Sequence, residues 1–178
     1  DFFLSVAFVH GANLVFLFEI RRELKDGTPK FYLEDLEILI IHHLSSMKIE
    51  HLGIAVKSLQ KSDELFAKLL GKENYKQESV EREGVTTSFY ELGDSKIELL
   101  EAANPESPIA KFLDKRGEGI HHVAFGVENI DSEIERLKAA GFQFLSEEPK
   151  DGADNKLIIF LHPKSTNGIL VELCQEKP

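Results

Sequence analysis

A short motif that occurs twice sets the frame for this chain. Gly119-Ile-His-His-Val-Ala-Phe-Gly126 echoes Ile49-Glu-His-Leu-Gly-Ile-Ala-Val56, and placing His51 on His122 aligns His-Leu-Gly-Ile-Ala-Val with His-Val-Ala-Phe-Gly-Val. In both copies a single imidazole interrupts an apolar run that alternates on period two, the pattern of a half-buried strand. Two like strands predict two like modules.

The segments that follow each strand repeat in the same order. From Ser58 to Leu70 the spacing turns helical, with Leu65, Phe66, Leu69 and Leu70 as the apolar stripe, Ser58 or Ser62 as the cap and Gly71 as the stop. Strand patterns follow at 75–83, 85–92 and 96–101, the last two joined by a Gly93-Asp94 turn. A linker holding Pro105 and Pro108 and a short helix over 109–115 lead into the second copy. There, a strand over 120–127 precedes a helix that Asp131 is expected to cap and Gly141 to end, burying Ile134, Leu137 and Ala140. Strands are predicted at 142–145, 156–161 and 168–174. The pattern predicts an α+β fold of two tandem βαβββ modules, over about 47–101 and 119–176, within one domain spanning 47–178.

Spacing agrees with order. His51 lies 20 residues before Gly71, and His122 lies 19 before Gly141. From those glycines it is 27 residues to Glu98 and 31 to Glu172, each a lone carboxylate in an apolar strand, Lys96-Ile-Glu-Leu-Leu100 and Leu170-Val-Glu-Leu-Cys174. If the modules pack about an internal twofold, His51, Glu98, His122 and Glu172 can converge on one point. Two imidazoles and two carboxylates suit a divalent ion such as Mn, Co, Ni, Zn or Mg, with positions left for water or substrate. Strand parity places His121 on the face opposite His122, as a packing residue. His162 reads as a turn residue and Cys174 as a small core residue. Lys156, Lys164 and Arg116 are candidates to meet substrate phosphates.

Charge narrows the partners. The net charge of −10 argues against nucleic acid or an anionic membrane, both of which require clustered basic residues. Residues 47–178 keep 17 basic residues against 24 acidic ones, so small-molecule partners are expected there and no membrane. The single cysteine excludes an internal disulfide and cysteine-based zinc sites, and fits a reducing compartment.

Residues 1–46 read differently. The uncharged run Phe2–Phe18 is only 17 residues long, the short limit for a membrane span, and lacks the layout of a secretory signal. The only methionine is Met47, directly before the first strand, so the segment reads as appended or translated from upstream, with a membrane or targeting leader as the alternative. Without a leader the expected compartment is the cytoplasm, or the mitochondrial matrix in a eukaryotic cell.

The paired modules resemble the vicinal oxygen chelate (glyoxalase-like) superfamily. Within it, Glu50-His-Leu-Gly-Ile-Ala-Val56, Ser107-Pro-Ile-Ala-Lys-Phe-Leu113, Gly119-Ile-His-His-Val-Ala-Phe125, Phe160-Leu-His-Pro-Lys164 and Gly168-Ile-Leu-Val-Glu-Leu173 resemble the methylmalonyl-CoA epimerase family. The resemblance implies metal ligands at His51, Glu98, His122 and Glu172, a divalent ion with cobalt foremost, an acyl-CoA thioester substrate and a homodimer. It also implies Glu172 as a catalytic base. Some family members carry their second base, a glutamate, at the position of Thr87, and a hydroxyl cannot serve there at neutral pH. Glu98 is then expected to act as both ligand and base, with Glu91 as the alternative. The nearest rival is a lactoylglutathione lyase. A ring-cleaving dioxygenase fits two histidines and one carboxylate rather than four ligands, and a binding protein of this fold has no need of the four.

Overall fold

The computed structural model describes residues 5–10, 13–19 and 47–177. The chain divides into two compact units, Asp1–Leu44 and Ser45–Pro178. In the first, strands β1 (Ser5–His10) and β2 (Asn13–Glu19) pair antiparallel. The run considered as a marginal membrane span is therefore extended over its described residues, since β-branched and aromatic side chains favour pleated backbone. Positions 1–4, 11–12 and 20–46 of the segment read as appended lie outside the described residues. No helix among the described residues is long and apolar enough to cross a membrane.

The second unit carries the repeat. Its first half comprises β3 (Lys48–Val56), α1 (Leu59–Leu70), β4 (Lys76–Val80), β5 (Val85–Leu92) and β6 (Ser95–Ala102). Helix α2 (Pro108–Arg116) links it to β7 (Gly119–Gly126), α3 (Ile130–Ala139), β8 (Lys150–Asp151), β9 (Lys156–Leu161) and β10 (Val171–Glu176). All eight strands form one sheet in the order β4-β5-β6-β3-β7-β10-β9-β8. The centre is the antiparallel pair β3·β7, flanked by β6 parallel to β3 and by β10 parallel to β7. This is the expected pair of βαβββ modules, joined edge to edge through their first strands.

Local chemistry sets the helix ends. Ser58 caps α1 and Gly71 ends it in the left-handed region at φ 68°. Ser107 caps α2, whose first residue is Pro108. The cap of α3 is Asn129, not Asp131: its side chain accepts the Ser132 amide at 2.9 Å, which leaves Asp131 in the first turn, where a carboxylate favours the helix dipole.

Helices α1 and α3 each pack on the outer face of their own module, whereas α2 contributes Pro108 and Ile109 to the wall of the concave face. Helix α1 contributes Leu59, Phe66 and Leu70 to a cluster with Val56, Tyr90 and Leu99, while α3 contributes Ile130, Ile134 and Leu137 to one with Ile159, Leu161 and Leu173. Leu65 and Leu69, expected in the buried stripe, stand 61% and 70% exposed, because two contact positions per turn are enough to seat α1. The expected strand 142–145 is reduced to one bridge, Phe144 to Leu161, and β8 takes its place at the edge.

The sheet curls until its outer strands meet. Asp154, in the β8–β9 turn, accepts from Tyr75 Oη at 2.9 Å, Lys76 Nζ at 3.2 Å and Lys96 Nζ at 2.8 Å. Glu83 and Lys150 pair at 2.6 Å on the same seam. The concave face thus encloses a cavity of about 280 Å³.

The two leucine environments make a stability test. Leu99→Ala, at a fully buried site, is expected to cost about 2–5 kcal/mol in urea unfolding. Leu65→Ala should change stability by no more than about 0.5 kcal/mol.

Candidate metal centre

The register of four strands builds the site. Gly53 lies opposite His122 on β7 and beside Glu98 on β6, and Ala124 lies opposite His51 on β3 and beside Glu172 on β10. The two rows are related by the internal twofold. Each ends on an aromatic residue, Phe89 beside Glu98 and Phe160 beside Glu172.

The four polar side chains meet in the cavity, all buried. His51 Nε2 lies 2.9 Å from His122 Nε2, 3.3 Å from Glu98 Oε2 and 4.0 Å from Glu172 Oε1. His122 Nε2 lies 3.5 Å from a carboxylate oxygen of each glutamate. His51, Glu98 and His122 each present a donor atom within 4.8 Å of the other two. The imidazoles meet edge to face, 5.1 Å between centroids, so both Nε2 atoms aim at one point. Gly53 makes this possible: a β-carbon there would stand 2.2 Å from Cε1 of His122.

Several residues take places that period-two reading of the strands does not give. Between Ile49 and His51 the β3·β7 pairing skips Glu50, and between Gly53 and Ile54 it skips His121. A bulge turns the extra residue onto the face of its neighbour. Glu50 therefore lines the cavity, its Oε2 2.5 Å from His51 Nδ1. His121 does the same rather than facing away, its Nδ1 3.0 Å from Nδ1 of His122. Glu50 is also gripped by Lys96 at 2.8 Å and Lys156 at 3.1 Å. Lys156 further pairs with Glu176, so it is buried among carboxylates and not held out for a phosphate.

The other candidates separate cleanly. Thr87 is buried in the cavity wall and its hydroxyl donates to the Glu78 carbonyl at 3.3 Å. Glu91 is exposed on β5 and does not line the cavity. Cys174 sits in the core beside Ala124 and Ile158. His162 Nδ1 accepts the Lys164 amide at 3.1 Å, as a turn residue does. Lys164 and Arg116 are exposed, and Arg116 lies over the ring of Phe112.

Electrostatics shows what the donor set demands. Burial alone would push the His51 pKa down, but hydrogen bonds to Glu50 and Glu98 hold it up at about 10. Burial would raise Glu98, and its bonds to His122 and His51 bring it down to about 2. Glu172 is raised, chiefly by burial. Burial also pushes His121 down to about 4, with help from His122. Lys96 and Lys156 are engaged by Glu50, Asp154 and Glu176, so neither is free to neutralise Glu98 and Glu172. Two buried carboxylates beside two imidazoles fit a divalent cation in number, charge and ligand type.

Fold and site together define a class: paired βαβββ modules that curl around a buried donor set of two histidines and two glutamates. The chain belongs to the glyoxalase/bleomycin resistance protein/dioxygenase superfamily, the vicinal oxygen chelate group, whose family model matches residues 50–160. It is 44% identical over 130 residues to the ethylmalonyl-CoA/methylmalonyl-CoA epimerase of Cereibacter sphaeroides, covering 72% of this chain and 97% of that protein. It is 37% identical over 130 residues to the uncharacterized protein YqjC of Bacillus subtilis, covering 73% and 93%. A variant of Streptomyces coelicolor methylmalonyl-CoA epimerase, solved in complex with 2-nitronate-propionyl-CoA, matches with a TM-score of 0.71 at 34% identity, over 75% of this chain and 100% of that one.

The close approach at Gly53 yields a direct test. Gly53→Ala should force the His122 ring aside and lower stability in urea by about 1–3 kcal/mol, the usual range for overpacking.

Proposed function

We propose that residues 47–178 form a methylmalonyl-CoA epimerase, which interconverts the (R) and (S) thioesters by proton transfer at the carbon between thioester carbonyl and carboxylate. The observation that carries this reading is the convergence of His51, Glu98, His122 and Glu172 inside an apolar cavity. Its size, about 280 Å³, suits a short acyl group rather than a whole coenzyme. The acyl-CoA ligand and the epimerase names of the relatives support the substrate class. We assign His51, Glu98, His122 and Glu172 as ligands of a divalent ion, cobalt first, and a homodimer as the assembly. A bound ion supplies Lewis-acid stabilisation of the negative charge that develops on the thioester oxygen.

The chain's own residues carry the proton. Inversion requires one group to remove it on one face and another to return it on the other. Glu172 takes the first role, as a buried carboxylate that faces the cavity beside His122. Thr87 cannot supply the second, because its hydroxyl is committed to a backbone carbonyl. Glu98, the twofold mate of Glu172, takes it. Phe89, Phe160, Leu100 and Ile158 wall the cavity and keep water from the carbanion.

Deuterium wash-in from each epimer, at saturating Co²⁺, tests these roles. Glu172→Gln should slow exchange of one epimer, and Glu98→Gln that of the other, by about 10²- to 10⁴-fold. If Glu98→Gln exchanges both epimers at the wild-type rate, Glu98 is not a base. Chelation of the metal should abolish epimerisation and added Co²⁺ should restore it. A wild-type protein inert toward methylmalonyl-CoA but active on a glutathione hemithioacetal would make it a lactoylglutathione lyase.

A further inference from the structure

The two β-bulges in the central strand pair have the same consequence. Each brings the residue before a histidine ligand onto the ligand's own face, and each such residue contacts Nδ1, the ring nitrogen turned away from the meeting point. Glu50 does this for His51 at 2.5 Å, and His121 for His122 at 3.0 Å. The bulges occupy equivalent places in the two modules, so the contacts are two copies of one device.

We infer that Glu50 and His121 are positioning residues for the two imidazole ligands, each fixing the tautomer and the aim of its histidine. The inference rests on the metal-centre reading above and concerns the groups behind the ligands.

The hydrogen inventory is restrictive. A histidine that offers its Nε2 lone pair must carry its proton on Nδ1, so Nδ1 becomes a donor and needs an acceptor. Glu50 is an anionic acceptor. Lys96 and Lys156 hold its other oxygen, so its direction is fixed from both sides. His121 is a neutral acceptor: receiving the His122 proton at Nδ1 places its own proton on Nε2. The ring of Phe112 meets it edge to face at 5.0 Å and holds its plane. The two ligands are therefore not equivalent. The carboxylate behind His51 makes it the stronger electron donor, and the imidazole behind His122 makes it the weaker.

The readout is Co²⁺ affinity of the full chain by direct titration, with the cobalt d–d absorption spectrum recorded on the same samples. Glu50→Leu and His121→Phe each remove an acceptor with similar bulk. They should weaken Co²⁺ binding by about 10- to 100-fold and shift the absorption bands. His121→Asn, whose side-chain oxygen can accept from His122, should recover most of the affinity. Glu50→Gln, which keeps an acceptor but loses the charge, should weaken binding less than Glu50→Leu. It also serves as the informative variant if Glu50→Leu fails to fold. A role confined to folding would lower the melting temperature of the metal-free protein and leave the spectrum of the folded fraction unchanged.

Wild-type affinity and spectrum in Glu50→Leu and His121→Phe, or in Glu50→Gln where Glu50→Leu does not fold, would overturn the positioning roles while leaving the metal centre intact. Failure of the wild-type chain to take up Co²⁺ would overturn the metal-centre reading itself, and the positioning roles with it.

Discussion

The pairing of β3 with β7 is the constraint on which the site depends. These two strands carry both histidines, and the register sets a residue with little or no side chain opposite each one: Gly53 opposite His122 and Ala124 opposite His51. Their flanking parallel strands then place Glu98 and Glu172 on the same concave face. A slip of one residue would turn each side chain to the other side of the sheet and scatter the four donors. Helices α1 and α3, packed on the outer face, support the two half-sheets, while α2 adds Pro108 and Ile109 to the cavity wall.

Charge is handled with the same economy. Three carboxylates, Glu50, Glu98 and Glu172, are buried within a few residues' width of the central strands. Isolated buried carboxylates are severely unfavourable, so each must have a counterion or a proton. Glu50 has two lysines, one from each module, and the contact ties β6 to β9 across the cavity. Glu98 and Glu172 face only imidazoles. That difference separates a carboxylate that is part of the framework from two that hold a cation under the proposed reading.

Much of this could be read in the chain. The matched intervals from histidine to glycine to glutamate identified all four converging residues, because they reflect equivalent positions in equivalent modules. Ser58, Gly71 and Ser107 mark helix ends by local chemistry that operates without tertiary context. What escaped was set by register. Alternation assumes unbroken pleating, so it sends His121 away from the site and is silent on Glu50; two skipped residues in one strand pair reverse that. Leu65 and Leu69 were misplaced because helical spacing shows an apolar stripe and not which part of it finds a partner. Lys156 stands among the phosphate candidates because the carboxylates that hold it lie in distant segments, at Glu50 and Glu176.

The internal twofold bears on the chemistry as well as the architecture. Epimerisation exchanges the two faces of one carbon, and an enzyme working in both directions must present a proton carrier to each. Under the proposed reading, a substrate held at the meeting point of the four donors has Glu98 from one module and Glu172 from the other on either side of it. The symmetry is not complete. Glu98 is held down by two imidazoles while burial raises Glu172, and Glu50 behind one imidazole is matched by His121 behind the other. The backbone supplies two equivalent positions for a carboxylate, and the carboxylates are unequal because both imidazoles hydrogen-bond Glu98 while burial dominates at Glu172. Under the proposed reading, an acid and a base poised at the same pH use that inequality, which here comes from the unequal engagement of two symmetry-related carboxylates by the same two imidazoles.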